Sequence, residues 1–201
     1  VQAGAIALGL ICFVIASLID VEHISALWKI IYILNIVLIS SLFILGVEGN
    51  TGNRSWIRFG GIGIQPGEIG KILFIFTLAL HIRLLSGSKI SSAKSVFQLL
   101  LHVLIVSGVL YVASKDMGMV LSYIFIALIM VFSSGISVKW FIGAGVAVAA
   151  ASPLIWRKLG EFQRNRILVL FDPEINEAIA WQGEQSKIAL GAGQITGQGL
   201  L

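Results

Sequence analysis

Apolar positions in this chain gather into long unbroken runs, not into the alternating or one-faced patterns of a half-buried soluble fold. Six runs stand out: Val1–Ile19, Leu27–Val47, Pro66–Leu85, Val96–Ala113, Met117–Phe132 and Trp140–Trp156. Each approaches the roughly 20 residues a helix needs to cross hydrocarbon, where every backbone amide must be satisfied inside its own segment. The pattern predicts an all-α polytopic membrane protein, with residues 1–156 forming a transmembrane bundle of about six helices. From Arg157 onward, charged and apolar residues mix. Leu159–Phe171 reads as an amphipathic helix in the outer headgroup region, and Asp172-Pro173 as its stop. A glycine-rich stretch follows from Gln185, and no internal repeat is visible.

Composition agrees: 57% of residues are hydrophobic and 12% charged, against about 25% charged in soluble domains. The mean hydropathy is +0.96. The net charge of +4 suits anionic headgroups, and its scattered lysines and arginines form no stripe for nucleic acid. The single cysteine, Cys12, lies inside an apolar run and reads as a small packing residue. His23, His81 and His102 are dispersed without ligand spacing and read as satisfied or interfacial histidines.

Lysine and arginine in the short loops set orientation. Lys29, Arg83, Lys89, Lys94 and Lys139 fall on one side, and Arg54, Arg58 and Lys115 on the other, the latter partly offset by Glu48 and Asp116. The first group is expected to be cytoplasmic. The chain would then start outside the membrane with no signal peptide ahead of it. This fits an internal fragment lacking an upstream helix.

The chemistry concentrates in Asn53–Lys71, N-R-S-W-I-R-F-G-G-I-G-I-Q-P-G-E-I-G-K. A loop with Arg54, Trp56 and Arg58 leads through Gln65-Pro66 into a helix that carries Glu68 and Lys71 toward hydrocarbon, where charge is expensive. Glu68 and Lys71 are three apart, so they share a face and can pair. They either neutralise each other near the interface or line a polar cavity opening outward. Trp56 fits an interfacial anchor and the arginines fit phosphate contact. Asp116 suits a helix N-cap, with a polar role toward an outer cavity as the alternative. Arg164 and Arg166, near Trp156 and Phe162, fit either a headgroup-facing helix or a pyrophosphate site. The run G-A-G-Q-I-T-G-Q-G lacks the Gly-Lys-Ser/Thr ending of a phosphate loop and is not a nucleotide site. No Ser-His-Asp arrangement can be read.

Three stretches together resemble the SEDS family of cell-wall polymerases, which includes RodA, FtsW and their sporulation relative SpoVE. Arg54–Lys71 is similar to the family's R-W-I…Q-P-S-E-x-x-K, and D-M-G at Asp116 to its D-L-G. F-D-P at Phe171, then W-Q-G-E-Q-S-K-I-A-L-G-A-G-Q-I-T-G-Q-G, is similar to Y-Q-x-x-Q-S-x-I-A-I-G-S-G-G-x-x-G-K-G. The Q-S-K-I-A wording is nearer RodA than FtsW. Gly67 stands for the family's serine, Trp181 for its tyrosine and Gln194 for a glycine.

The resemblance implies helices 2–7 of a ten-helix fold, an outward cavity, and residues 157–201 as the start of a large extracellular loop. It implies a bacterial plasma-membrane glycosyltransferase that adds lipid II to a growing peptidoglycan strand, in elongation or division, with a class B penicillin-binding protein as partner. The substrate-binding candidates are Arg54, Trp56, Glu68, Lys71, Arg164 and Arg166. No cofactor is evident, and a divalent cation is compatible. The family's catalytic aspartate belongs to a T-D-F motif after the glycine-rich run, and none of Asp20, Asp116 or Asp172 matches it. Residues 1–201 alone are therefore expected to be inactive. Rival readings are a lipid-linked precursor flippase and a non-catalytic scaffold for the penicillin-binding protein.

Overall fold

The apolar runs are helical in the computed structural model, which describes residues 2–18, 21–48, 52–60, 62–86 and 90–199. Of the residues named above, Val1, Ile19, Asp20, Gly61, Lys89 and Leu201 lie outside this set, as does the side chain of His23. In chain order the helices are α1 (Gln2–Ser17), α2 (Val21–Ser25), α3 (Trp28–Ser40), α4 (Leu42–Leu45), α5 (Pro66–Ser86), α6 (Ala93–Ser114), α7 (Met117–Ser133), α8 (Val138–Lys158), α9 (Glu161–Leu168) and α10 (Glu177–Gly193). Between α4 and α5 lies an antiparallel hairpin, β1 (Ile57–Phe59) and β2 (Ile62–Ile64). Among the described residues, Trp28–Leu45, Pro66–Ser86, Ala93–Ser114 and Val138–Lys158 are long and apolar enough to cross a membrane; Ile6–Ser17 and Met117–Ser133 are shorter apolar helices.

The chain divides into two compact units, Val1–Val138 and Lys139–Leu201. In the first, α3, α5, α6 and α7 pack as a bundle. Its fully buried side chains include Ile39, Leu42, Phe74, Leu78, Val106, Leu110 and Tyr123. Lipid tails are as apolar as leucine, so these helices gain little by hiding from lipid. Close packing and interhelical hydrogen bonds must hold them. Both are present. Gly70 lies so close to α3 and α7 that a Cβ there would sit 2.7 Å from Asn35 Oδ1 and 2.9 Å from Tyr123 Oη. The Tyr123 hydroxyl, buried within the bundle, donates to the Gly67 carbonyl at 2.7 Å.

The described side chains of α1 are all exposed. Cys12 is among them. It therefore does not serve as a packing residue against the rest of the chain, because α1 turns every described side chain outward.

Helix ends follow local chemistry. Pro66 opens α5, where its missing N–H costs nothing. Ser92 caps α6 by accepting from Ser95 N, and Asp116 caps α7 by accepting from Met119 N. Lys115 ends α6 in the left-handed region, with φ 55°.

In the second unit, α9 covers only part of the amphipathic segment read from sequence, Glu161–Leu168 within Leu159–Phe171. Gln163 Oε1 accepts from Gly160 N, the half of a capping box open to a glycine. Asp172 caps a short 3₁₀ turn at Pro173–Ile175. The chain then re-enters a helix: α10 runs through the first half of the glycine-rich stretch, with Asn176 as its N-cap.

Candidate functional site

At one end of the four-helix bundle, the segment between α4 and α5 folds back on itself. Gly60, at φ 53°, takes the positive-φ turn position, and Arg58 pairs with Gly63 across the hairpin. Gly63 lets the Trp56 indole lie close: a Cβ would sit 3.1 Å from Trp56 Cε3, so the ring would have to give slightly. Upstream, Val47 N donates to Trp56 O at 2.8 Å. Gly46 leaves room for the Arg54 backbone, whose carbonyl would lie 2.9 Å from a Cβ at 46.

The same segment is stitched to the α6–α7 turn. Arg54 N donates to Ser114 O at 2.7 Å. Ser55 Oγ donates to Asp116 Oδ2 at 2.8 Å, and Asn53 Nδ2 approaches that oxygen at 3.4 Å. The other carboxylate oxygen, Oδ1, accepts Met119 N at 3.1 Å. Ser114 Oγ accepts Asp116 N at 3.1 Å and donates to Leu110 O at 2.7 Å. Asp116 is thus the expected N-cap and, in addition, an anchor for the hairpin segment.

The hairpin passes through Gln65 directly into α5, where Lys71 Nζ lies 2.8 and 2.9 Å from the two oxygens of Glu68. Lys71 is the less exposed partner, at 22% against 57% for Glu68. Pairing therefore coexists with an accessible carboxylate. Arg54 makes a longer contact to Glu48 at 3.4 Å, with both side chains around half exposed. Such a pair holds at most about 1 kcal/mol, so the guanidinium is easily recruited by another anion. Trp56 is 43% exposed. Arg54, Trp56, Glu68 and Lys71 thus occupy one end of one unit, with cationic and aromatic groups on the hairpin and an ion pair at the head of α5.

Arg164 and Arg166 belong to the second unit. Arg164 spends its guanidinium on backbone: Nε donates to Trp156 O at 2.9 Å and Nη2 to Arg157 O at 2.8 Å, closing the C-terminus of α8. Arg166 stacks over the Phe162 ring at 5.6 Å. Among the described residues, no three His, Cys, Asp or Glu side chains converge as a metal cluster.

Sequence reasoning missed a polar cluster toward the opposite end of the bundle. His81 Nδ1 and His102 Nδ1 approach to 3.1 Å, and Thr77 Oγ1 lies 3.5 Å from His102 Nε2. Tyr32 donates to His102 O at 3.2 Å, and Trp28 packs its ring against His81 at 5.2 Å. The histidines are far apart in sequence. Only folding α5 and α6 as an antiparallel hairpin, with 81 near the end of one and 102 in the first half of the other, brings them together. It missed Asn35 as well: the side chain is fully buried, and neither amide atom has a hydrogen-bond partner among the described residues.

Comparison with known proteins places this arrangement. The family model for FtsW, RodA and SpoVE, described as "Cell cycle protein", matches residues 1–201. The chain is 30% identical over its whole length to 54% of peptidoglycan glycosyltransferase MrdB of Escherichia coli K12. It is 29% identical, over 89% of its length and 49% of the relative's, to probable peptidoglycan glycosyltransferase FtsW of Geobacter sp. M18. The chain thus spans about half the length of the curated relatives it matches. A chain in a solved structure, described as structural coordination of polymerization and crosslinking by a peptidoglycan synthase complex, superposes with a TM-score of 0.78 at 25% identity, over 99% of this chain and 57% of that one. The rod shape determining protein RodA of Thermus thermophilus superposes with a TM-score of 0.61 at 25% identity, over 74% of this chain and 48% of that one. An all-α multi-pass membrane protein matching part of the SEDS fold, the chain belongs to the FtsW/RodA/SpoVE family.

Proposed function

We propose that the protein carrying this chain is a peptidoglycan glycosyltransferase of the bacterial plasma membrane, extending glycan strands from lipid II. The observation that carries the reading is the family match over residues 1–201, with 30% identity across this chain to 54% of a peptidoglycan glycosyltransferase. The bundle geometry supports it. Glycosyl transfer from a pyrophosphate-linked donor needs cations for the departing pyrophosphate and a base for the attacking hydroxyl. Arg54 and Trp56 on the hairpin, with Lys71 and Glu68 beside them in sequence, supply charge and a stacking surface for the first requirement. In the second unit, Arg166 stacks on Phe162 and Arg164 is held by the α8 terminus, so of these two candidates Arg166 has its guanidinium the freer for an anion. No aspartate in this chain matches the family's catalytic position, so no residue here is assigned as the base.

In this reading the bundle of residues 1–156 corresponds to helices 2–7 of a ten-helix fold. Residues 157–201 begin the large loop on the outer face, and a class B penicillin-binding protein is the partner. Purified full-length protein given labelled lipid II, with and without that partner, tests the activity. Uncrosslinked glycan is expected from the polymerase alone. Movement of lipid II between leaflets without product would replace the proposal with a flippase, and no effect on lipid II at all would leave a scaffold.

A further inference from the structure

We propose that Asp116 is the positioning residue for the hairpin segment, fixing Arg54 and Trp56 for a pyrophosphate-bearing lipid. The proposal rests on the glycosyltransferase reading above. An N-cap needs one acceptor oxygen, and Asp116 has two. Oδ1 accepts Met119 N, which leaves Oδ2 to hold Ser55 at 2.8 Å and to approach Asn53 at 3.4 Å. Ser55 is fully buried, so its hydroxyl cannot exchange this acceptor for water without exposing the segment. Asn53 and Ser55 turn toward Asp116, while the residues that alternate with them stay accessible, with 41% of the Arg54 side chain and 43% of Trp56 exposed. The backbone bond from Arg54 N to Ser114 O locks the same register from between the two side-chain ties.

The carboxylate is separable into its two tasks. Asparagine ranks with aspartate as an N-cap, but it has one acceptor oxygen and presents an amide NH2 where Oδ2 stood. Asp116→Asn thus keeps the cap and exchanges the charged tie to Ser55 for a weaker neutral one, with the amide donating back to the hydroxyl. Ser55→Ala loses the tie and leaves the cap untouched. Asp116→Ala loses both.

The test uses the full-length protein in lipid nanodiscs, in a Cys12→Ser background, with a nitroxide on Phe59→Cys at the exposed hairpin. Asp116→Asn and Ser55→Ala should each free the label. Each should raise KM for lipid II about tenfold, the scale of a lost hydrogen bond to a charged group. The kcat should fall as well, since Arg54 is assigned to the charge that develops on the departing pyrophosphate. The double variant should be no worse than either single one. Asp116→Ala should lower Tm the most, because it loses the cap as well. An immobile label in both tie variants would overturn the clamp. A freed label with KM and kcat both unchanged would overturn the positioning role. A parent protein that does not turn over lipid II removes the glycosyltransferase reading and the substrate half of this proposal, while label mobility still decides the clamp.

Discussion

Gly67 and Met119 share one space. A Cβ at 67 would fall on Met119 Sδ and 3.4 Å from Leu110 Cδ1, so the glycine that stands for the family's serine is matched by the thioether facing it. Gly67→Ser should therefore destabilise the bundle by about 1–3 kcal/mol through overpacking. Met119→Ala in the same chain should recover most of that loss. Thermal unfolding in detergent of the two single variants and the double variant measures the coupling, and additive losses would refute the shared-space account. The neighbouring ion pair carries a functional prediction. In the complete protein, Lys71→Ala leaves Glu68 unpaired at the head of α5, and Glu68→Gln leaves Lys71 without its anion. Each should cut lipid II polymerisation by at least about tenfold, the scale of a lost charged hydrogen bond. Normal rates in both variants would end the cavity-wall role for this pair. The pair was legible in the sequence because helical spacing alone puts residues three apart together. The Tyr123–Gly67 bond was not, since it depends on the rotation of α7 against α5, which no local pattern encodes.

At the scale of elements, each helix must find partners for backbone groups that hydrocarbon will not solvate. Pro153 sits inside α8 and has no N–H for the Ala149 carbonyl four residues earlier. Ser152 Oγ donates to that carbonyl at 2.8 Å and so mends the gap. Between α5 and α6 the donors can be ordered in the same way. Thr77 gives its hydroxyl proton to Leu73 O at 2.9 Å, so its oxygen is left to accept from His102 Nε2. His102 Nδ1 is then the acceptor for His81 Nδ1–H. One directional chain thus joins the two helices where tails of lipid would offer no alternative. His81→Phe and His102→Phe should each destabilise the folded bundle, by about 1–3 kcal/mol for a buried partner left unmatched. Together they should cost less than the sum, because either one alone breaks the same bond. Additive losses in a double-mutant cycle would show that the two imidazoles pack side by side without a hydrogen bond between them. The helices themselves were readable from apolar run length, almost to the residue at Pro66 and Met117. The β1–β2 hairpin was not: its strands are three residues each, too short for alternation to rise above the glycine-rich loop that contains them.

Across the whole molecule, the same run lengths that gave the helices say nothing of which end faces the cytoplasm. That information lies in the loop cations. Lys29, Arg83, Lys94 and Lys139 border one set of helix ends, and the hairpin and the α6–α7 turn border the other. On the proposed reading, the positive-inside rule would put the hairpin outside, along with the segment that follows α8. Cysteine accessibility tests this in a Cys12→Ser background, using exposed positions that leave every lysine and arginine in place, because those residues are the orienting signal. Ser86→Cys and Ser133→Cys should react with a membrane-impermeant maleimide only after spheroplasts are permeabilised. Phe59→Cys and Glu184→Cys should react while they are intact. The opposite pattern would place Arg54, Trp56 and Glu68 on the cytoplasmic side. A polymerase building wall outside the membrane could not then use them, so the glycosyltransferase assignment of this end of the bundle would fall with the orientation. Agreement at 59 together with protection at 184 would keep the hairpin outside and confine the error to α8, the helix whose described side chains are all unburied within the chain and whose crossing rests on composition alone.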